Sequence, residues 1–313
     1  MTVQKAISES SADVFTRNKA FWNNYLNGRP AAPDIFFRRL FRYHQEHHGS
    51  FGTVHDAGAG NGPYSEKLRS KFGHVIVSDI ASDNVAFAKD RLGMDGFSYR
   101  VGRLEDSEGI PDGSVDMVFA TNVMHFPDQK LAMEVIARQL RPGGTFACAT
   151  FGAAHFASAQ VQDIYVRISQ AGARLLLQTL QDPEKLIAAM VRTRGNCNIA
   201  PLDEDLFVRG AQRILLNMPE EGIASPLPPE IEVEEEPLYD GASDVIVREA
   251  EDGWGFVMDL ADIRDHIQSF PFGRDVETVL PDLWSEMKEA VKDERVHGHW
   301  PAKIILATRR YPG

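Results

Sequence analysis

The chain has 313 residues, 43% of them hydrophobic, and a formal net charge of −12. That is enough material for one large core or two modest ones, and the acidic balance excludes a general electrostatic grip on nucleic acid. Cys148 and Cys197, the two cysteines, are too few for a disulfide framework, and their spacing fits neither a metal site nor a redox pair.

The first twenty residues are polar and mixed in charge, with no apolar leader core, and no uncharged apolar run is long enough to span a bilayer. A cytoplasmic protein with no membrane partner is the expectation. From Phe15 to His48 the pattern is helical and aromatic-rich, with Phe21, Trp22, Tyr25, Phe36, Phe37, Phe41 and Tyr43. Gly28-Arg29-Pro30 divides it into two helices, because proline drives its predecessor out of the α region. His44, His47 and His48 share one helical face. With no acidic or thiol partner in view they read as a solvated face, not a metal site.

The stretch Val54-His55-Asp56-Ala57-Gly58-Ala59-Gly60-Asn61-Gly62-Pro63-Tyr64 follows. An apolar run ends in an acid, then come three glycines at alternate positions, then a proline suited to the first turn of a helix. This predicts a strand, a tight turn and a helix start, with bared N–H groups facing a ligand. A second apolar run, 74–79, ends in Asp79, where an acid can accept hydrogen bonds from both hydroxyls of a ribose.

Strands are expected at 53–56, 74–79, 97–101, 115–120 and 145–150, with helices at 63–72, 83–92 and 128–140. This alternation predicts a parallel sheet covered on both faces. Leu140-Arg141-Pro142-Gly143-Gly144 reads as a turn into the fifth strand. Beyond Phe151 the rhythm changes. Residues 156–180, 183–194 and 203–218 read as helices forming a cap, 219–230 as an exposed loop, and Glu234-Glu235-Glu236 as a solvated strand edge. Strands return at 231–235 and 244–249, helices at 259–270 and 282–293, and a last strand at 303–308. The expected divisions are 1–50, a helical lid; 51–151, the cofactor core; 152–230, the cap; and 231–313, completion of the sheet.

The ordered set Asp56–Gly62, Asp79, Gly109-Ile110-Pro111-Asp112-Gly113-Ser114-Val115-Asp116, Asn122-Val123-Met124-His125-Phe126 and Leu140–Gly144 resembles the class I S-adenosylmethionine-dependent methyltransferases. Tyr25-Leu26-Asn27-Gly28-Arg29-Pro30, with Phe36 and Phe37 after it, is similar to the trans-aconitate methyltransferase-like branch, whose members act on small molecules. The resemblance implies an α/β, Rossmann-like, seven-stranded mostly parallel sheet with its last strand antiparallel and a helical cap inserted after strand five. It also implies S-adenosyl-L-methionine as cofactor. Asp56, Gly58, Gly60, Asn61 and Gly62 would face the methionine part, Asp79 the ribose, Ile80 the adenine, and Asn122 the cofactor ammonium. Tyr25 and Arg29 would close over it. Relatives carry Gly-Asp-Ala after strand three, whereas this chain has Gly102-Arg103-Leu104. Arg103 cannot accept from the adenine amino group, and the Leu104 backbone with Glu105 or Asp106 is the substitute. A dehydrogenase of the nicotinamide type is the nearest competitor, but Pro63 stands where its third glycine would be.

Methyl transfer is an in-line displacement at a sulfonium carbon, in which the protein mainly aligns the partners. An amine or hydroxyl acceptor needs a base; a carboxylate does not. His125 is the one base that the motif positions, as catalyst or as orienting group. No Asn-Pro-Pro-Tyr segment follows strand four, which disfavours nucleobases, and no metal triplet can be placed. The reading is methylation of a small acid or secondary metabolite at a carboxyl oxygen, with hydroxyl or nitrogen acceptors as alternatives. Binding or rearrangement without methyl transfer is a further alternative. Trp22, His125, Phe151 and Trp254 are the expected acceptor contacts.

Overall fold

The computed structural model describes residues 28–311 except 235, 237, 274 and 293. Trp22 and Tyr25 lie outside the described residues. The first half runs α1 (Asp34–Glu46), β1 (Thr53–Ala57), α2 (Ser65–Arg69), β2 (His74–Asp79), α3 (Ser82–Leu92), β3 (Phe97–Val101), β4 (Val115–Thr121), α4 (Gln129–Gln139) and β5 (Leu140–Phe151). The second runs β6 (His155–Phe156), α5 (Ala159–Thr179), α6 (Glu184–Thr193), β7 (Gln212–Leu216), β8 (Val245–Glu249) and β9 (Gly255–Met258). It ends with α7 (Leu260–Gln268), α8 (Val276–Val279), α9 (Pro281–Val291), β10 (Val296–His299) and β11 (Ala302–Thr308).

The main sheet has the order β3-β2-β1-β4-β5-β11-β7-β8. Strands β1 to β5 are parallel, and β11 is antiparallel to both β5 and β7. A small sheet, β6-β10-β9, sits apart from it. Side chains alternate between two cores. Met117, Phe119 and Ile304 face α1 with Phe36, Phe37 and Leu40, while Val118, Ala120 and Ile305 face α4 with Ala132, Met133 and Ile136. Helix α4 begins where Asp128 accepts from the Leu131 N–H at 3.0 Å. Helix α5 begins at Ser158, whose hydroxyl accepts from Val161 N–H. In the cap, α5 and α6 share a separate cluster of Ala173, Leu177, Met190, Val191 and Leu227.

Five expectations change. The sheet has eight strands, not seven, because β8 pairs in parallel with the outer edge of β7. Residues 203–218 are not a helix: they hold β7, where Arg213, Ile214, Leu215 and Leu216 are all buried. A strand covered on both faces loses the alternation that marks a strand in sequence. Residues 231–234 carry no strand. Leu140–Gly144 is a bulge inside β5 rather than a turn before it. Val115 pairs with Leu140 but Met117 with Thr145, and Arg141 reaches back to Asp116 at 3.0 Å. Finally, His44 is buried, bonded to Thr145 Oγ1 at 2.7 Å and to Ser50 O at 2.8 Å, so it is a core residue and not part of a solvated face. Among the described residues no helix is long and apolar enough to cross a membrane.

Candidate active site

A cavity of about 780 Å³ opens over the carboxyl ends of β1, β2, β4 and β5 and runs on under the cap. Its floor is the turn after β1. There Gly58 adopts φ +67, and a Cβ on it would overlap Val123 of the loop after β4. Both facts require glycine. Gly60 donates its N–H to Asp79 Oδ2 at 2.9 Å, and Ala59 donates to Ser78 O at 2.8 Å. Asp79 Oδ1 accepts from the Ala81 N–H at 2.9 Å and from Asn84 Nδ2 at 3.0 Å. The acid at the tip of β2 therefore fixes the glycine turn as well as facing the cavity. Helix α2 starts at Ser65, so Pro63 lies in a preceding turn and not at the first helical position.

Two buried acids meet in this floor. Asp56 accepts from Ser65 Oγ at 2.6 Å, and burial pushes its carboxyl up to about 7. Burial also raises Asp79 above the usual carboxylate range, against the pull of its hydrogen bonds to Ala81, Asn84 and Gly60. A cavity holding two desolvated acids favours a cationic occupant.

The opposite wall is built from the ends of β4 and β5. Asn122 has φ 55; its N–H donates to Ala149 O at 2.8 Å and its Oδ1 accepts from Phe151 N–H at 2.9 Å. That strained residue re-aims the chain so that His125 and Phe126 line the cavity. His125 Nδ1 is buried with no hydrogen-bond partner among the described residues, and so are the hydroxyls of Thr121 and Thr150. Burial, followed by the nearby charges of Arg192 and Arg29, pushes the His125 imidazole down to about 3. Arg29 donates to Gly152 O at 3.1 Å and lies over the Phe270 ring, 3.7 Å from its centroid.

Of the expected residues, Arg29, Asp56, Gly58, Gly60, Asp79, Ile80, Leu104, Glu105, Asn122, His125 and Phe151 line this one cavity. Asn61 and Gly62 do not. They turn toward α3, where Arg91 donates to the carbonyls of both. Trp254 does not reach the cavity either. It is buried in the core against Phe36 and Phe151, with Nε1 donating to Glu251 at 2.9 Å. Arg103 bonds Glu105 Oε1 at 2.9 Å, and the same oxygen accepts from Asp128 N–H at 3.1 Å. Three lining residues had no signal in the sequence: Thr121, Thr150 and Tyr165. The two threonines sit at ordinary strand positions, and Tyr165 reads as one more apolar-face residue of a helix.

Residues 55–148 match the family described as a methyltransferase domain. The chain is 64% identical over 300 residues to a methyltransferase of Claviceps purpurea, covering 96% of this chain and 95% of that one. It is 61% identical over 302 residues to Methyltransferase AacuQ of Aspergillus aculeatus, covering 96% and 97%. A solved structure from Anaeromyxobacter dehalogenans, described as a type II methyltransferase, shares the fold, with a TM-score of 0.53 at 20% identity over 90% of this chain and 97% of that one. The chain belongs to the class I S-adenosylmethionine-dependent methyltransferases, and it is an enzyme of that class.

S-adenosylmethionine is its cofactor, and the cavity fits it. Asp56 suits a positive charge, Asp79 suits hydroxyl donors, and the Thr121 and Thr150 hydroxyls, unpartnered among the described residues, can take polar contacts. Bound there, the cofactor supplies an activated methyl group. The protein's part is to hold donor and acceptor in line and to keep water out.

Proposed function

We propose that this methyltransferase is a cytoplasmic enzyme that methylates a small acid, a secondary metabolite, at its carboxyl oxygen. In this reading Asp79 takes the ribose hydroxyls, and Ile80 packs on the adenine beside Leu104 and Glu105. Asp56, Gly58, Gly60 and Asn122 hold the amino-acid end, and Arg29 pairs with a carboxylate.

His125 is the observation that carries the choice of acceptor. With its pKa at about 3, the imidazole is neutral near pH 7 and a poor base. A phenol or ammonium acceptor would have to lose its proton to a stronger group. A carboxylate arrives ionised, and the nearby guanidinium of Arg29 favours an anion there. His125 then orients one carboxylate oxygen by a hydrogen bond from its ring. The relatives from Claviceps and Aspergillus, matched over nearly their whole length, support a role in fungal small-molecule metabolism.

Incubation with methyl-labelled cofactor and a panel of aromatic acids, phenols and amines tests the proposal. Base-labile label on the acids is expected. Label confined to phenols or amines would overturn the carboxyl assignment.

A further inference from the structure

The cavity has two ends. One is the glycine turn and the loop after β4. The other is the cap, where Lys185, Leu186, Ala189, Met190 and Thr193 of α6 line the wall. Apolar side chains fill most of the cap's wall, and apolar contacts alone position poorly. One side chain of α6 makes directed polar bonds to the loop.

That side chain is Arg192, in the last turn of α6. Its Nη1 donates to two backbone carbonyls of the loop, His125 O at 3.1 Å and Pro127 O at 3.0 Å. Its other edge grips Glu236 in a two-pronged pair, Nε to Oε1 at 2.9 Å and to Oε2 at 3.0 Å, and Nη2 to Oε1 at 2.7 Å. Both partners are mostly buried, with side chains 15% and 24% exposed. A bidentate pair at that depth fixes the guanidinium plane, which a lone surface pair does not. The two carbonyls flank Phe126, so the clamp sets the stretch that aims both His125 and Phe126 into the cavity. The same loop meets the cofactor floor where Val123 packs on Gly58, and its end is tied to Glu105 through Asp128 N–H.

We infer that Arg192 is a positioning residue that couples the cap to the cofactor turn: through it, α6 and the loop 122–128 move as one unit, so that filling the cofactor site orders the acceptor wall. Glu236 serves by holding the guanidinium in place. Coupling of this kind is a free energy shared between two sites, and reads out as one ligand ordering the other's wall. It depends only on the cofactor end being occupied and holds for any acceptor chemistry.

Hydrogen exchange measured with and without S-adenosylhomocysteine tests it on the full chain. In the native protein the ligand is expected to slow exchange in the glycine turn, in residues 122–128 and in α6. In Arg192→Met the turn stays protected and S-adenosylhomocysteine still binds, but the protection of α6 is lost. Arg192→Lys, which can hold a carbonyl but not the Glu236 fork, restores part of it. A merely structural role would lower the melting temperature and leave the ligand-induced difference at α6 intact. That result, or a native α6 that the ligand never protects, overturns the inference. Should Arg192→Met fail to fold, Glu236→Gln gives the reading: reduced α6 protection supports the coupling, and native protection overturns it.

Discussion

Gly58 and Val123 touch so closely that the two loops forming the cofactor floor cannot be altered independently. The Gly58→Ala change is strained twice over, by a φ of +67 and by overlap with the Val123 side chain. The backbone part alone costs about 1–2 kcal/mol. The expected outcome is a lower melting temperature together with weakened S-adenosylhomocysteine binding by calorimetry. Gly58→Ala with Val123→Ala should recover part of the binding by removing the overlap; no recovery would show that backbone strain alone is responsible.

Asp56 should make cofactor binding pH-dependent. Its free-state pKa of about 7 lies well above the usual 3.8, chiefly through burial. A cationic ligand favours the ionised carboxylate, so binding lowers that pKa and releases a proton. Affinity therefore rises as pH climbs toward about 7 and levels off above it, by at most about tenfold per pH unit. Calorimetry of S-adenosylmethionine itself, with no acceptor present, from pH 5.5 to 8.5 should show this slope in the native protein and a flat line in Asp56→Asn.

Thr150 carries a hydroxyl with no partner among the described residues, so Thr150→Val removes a polar atom without breaking a bond seen there. Stability should stay level or rise, because a buried unsatisfied group is lost. Ligand binding should weaken by about 0.5–1.5 kcal/mol if that hydroxyl bonds the ligand. Thermal melts and cofactor titration separate the two effects; a drop in stability with unchanged binding would return Thr150 to a packing role.

His125→Ala should lower acceptor turnover about 10- to 100-fold, the size of a hydrogen bond to a charged group of about 1.5–3 kcal/mol. His125→Asn, which keeps a donor, should recover part of it. With His125 titrating at about 3, the rate at saturating cofactor carries no histidine limb between pH 5.5 and 8. A limb near pH 6.5 that vanishes in His125→Asn would make the residue a base.

The floor of the site was legible because its chemistry is local. Gly58 and Gly60, followed by Asp79, announce a turn that admits backbone only, and β1, β2 and β4 are each followed by a helix of clear apolar period. What lies after Phe151 was less so. Arg213 sits inside β7, 1% exposed, because Asp244 at 2.5 Å and the carbonyls of Ile199, Ala200 and Tyr239 surround its charge. No local pattern announces partners so far along the chain. Trp254, expected at the acceptor pocket, instead buries its large aromatic area in a core between Phe36 and Phe151. Thr121 and Thr150 show the reverse case, polar atoms that only the finished wall reveals as unpaired.

The seat of β11 between β5 and β7 has a consequence for how the chain is made. Residues 302–308 pair with Thr145–Phe151 and, over 302–306, also with Gln212–Leu216, yet of the described strands they are the last to be synthesised. Until they arrive, β5 and β7 each present an open edge on an apolar surface, a template for pairing with other chains. A ribosome-bound or proteolysed fragment ending before Ala302 would thus hold a nearly complete cofactor turn beside two adhesive edges. The enzyme's solubility during synthesis rests on how quickly one late seven-residue strand inserts between partners made long before it.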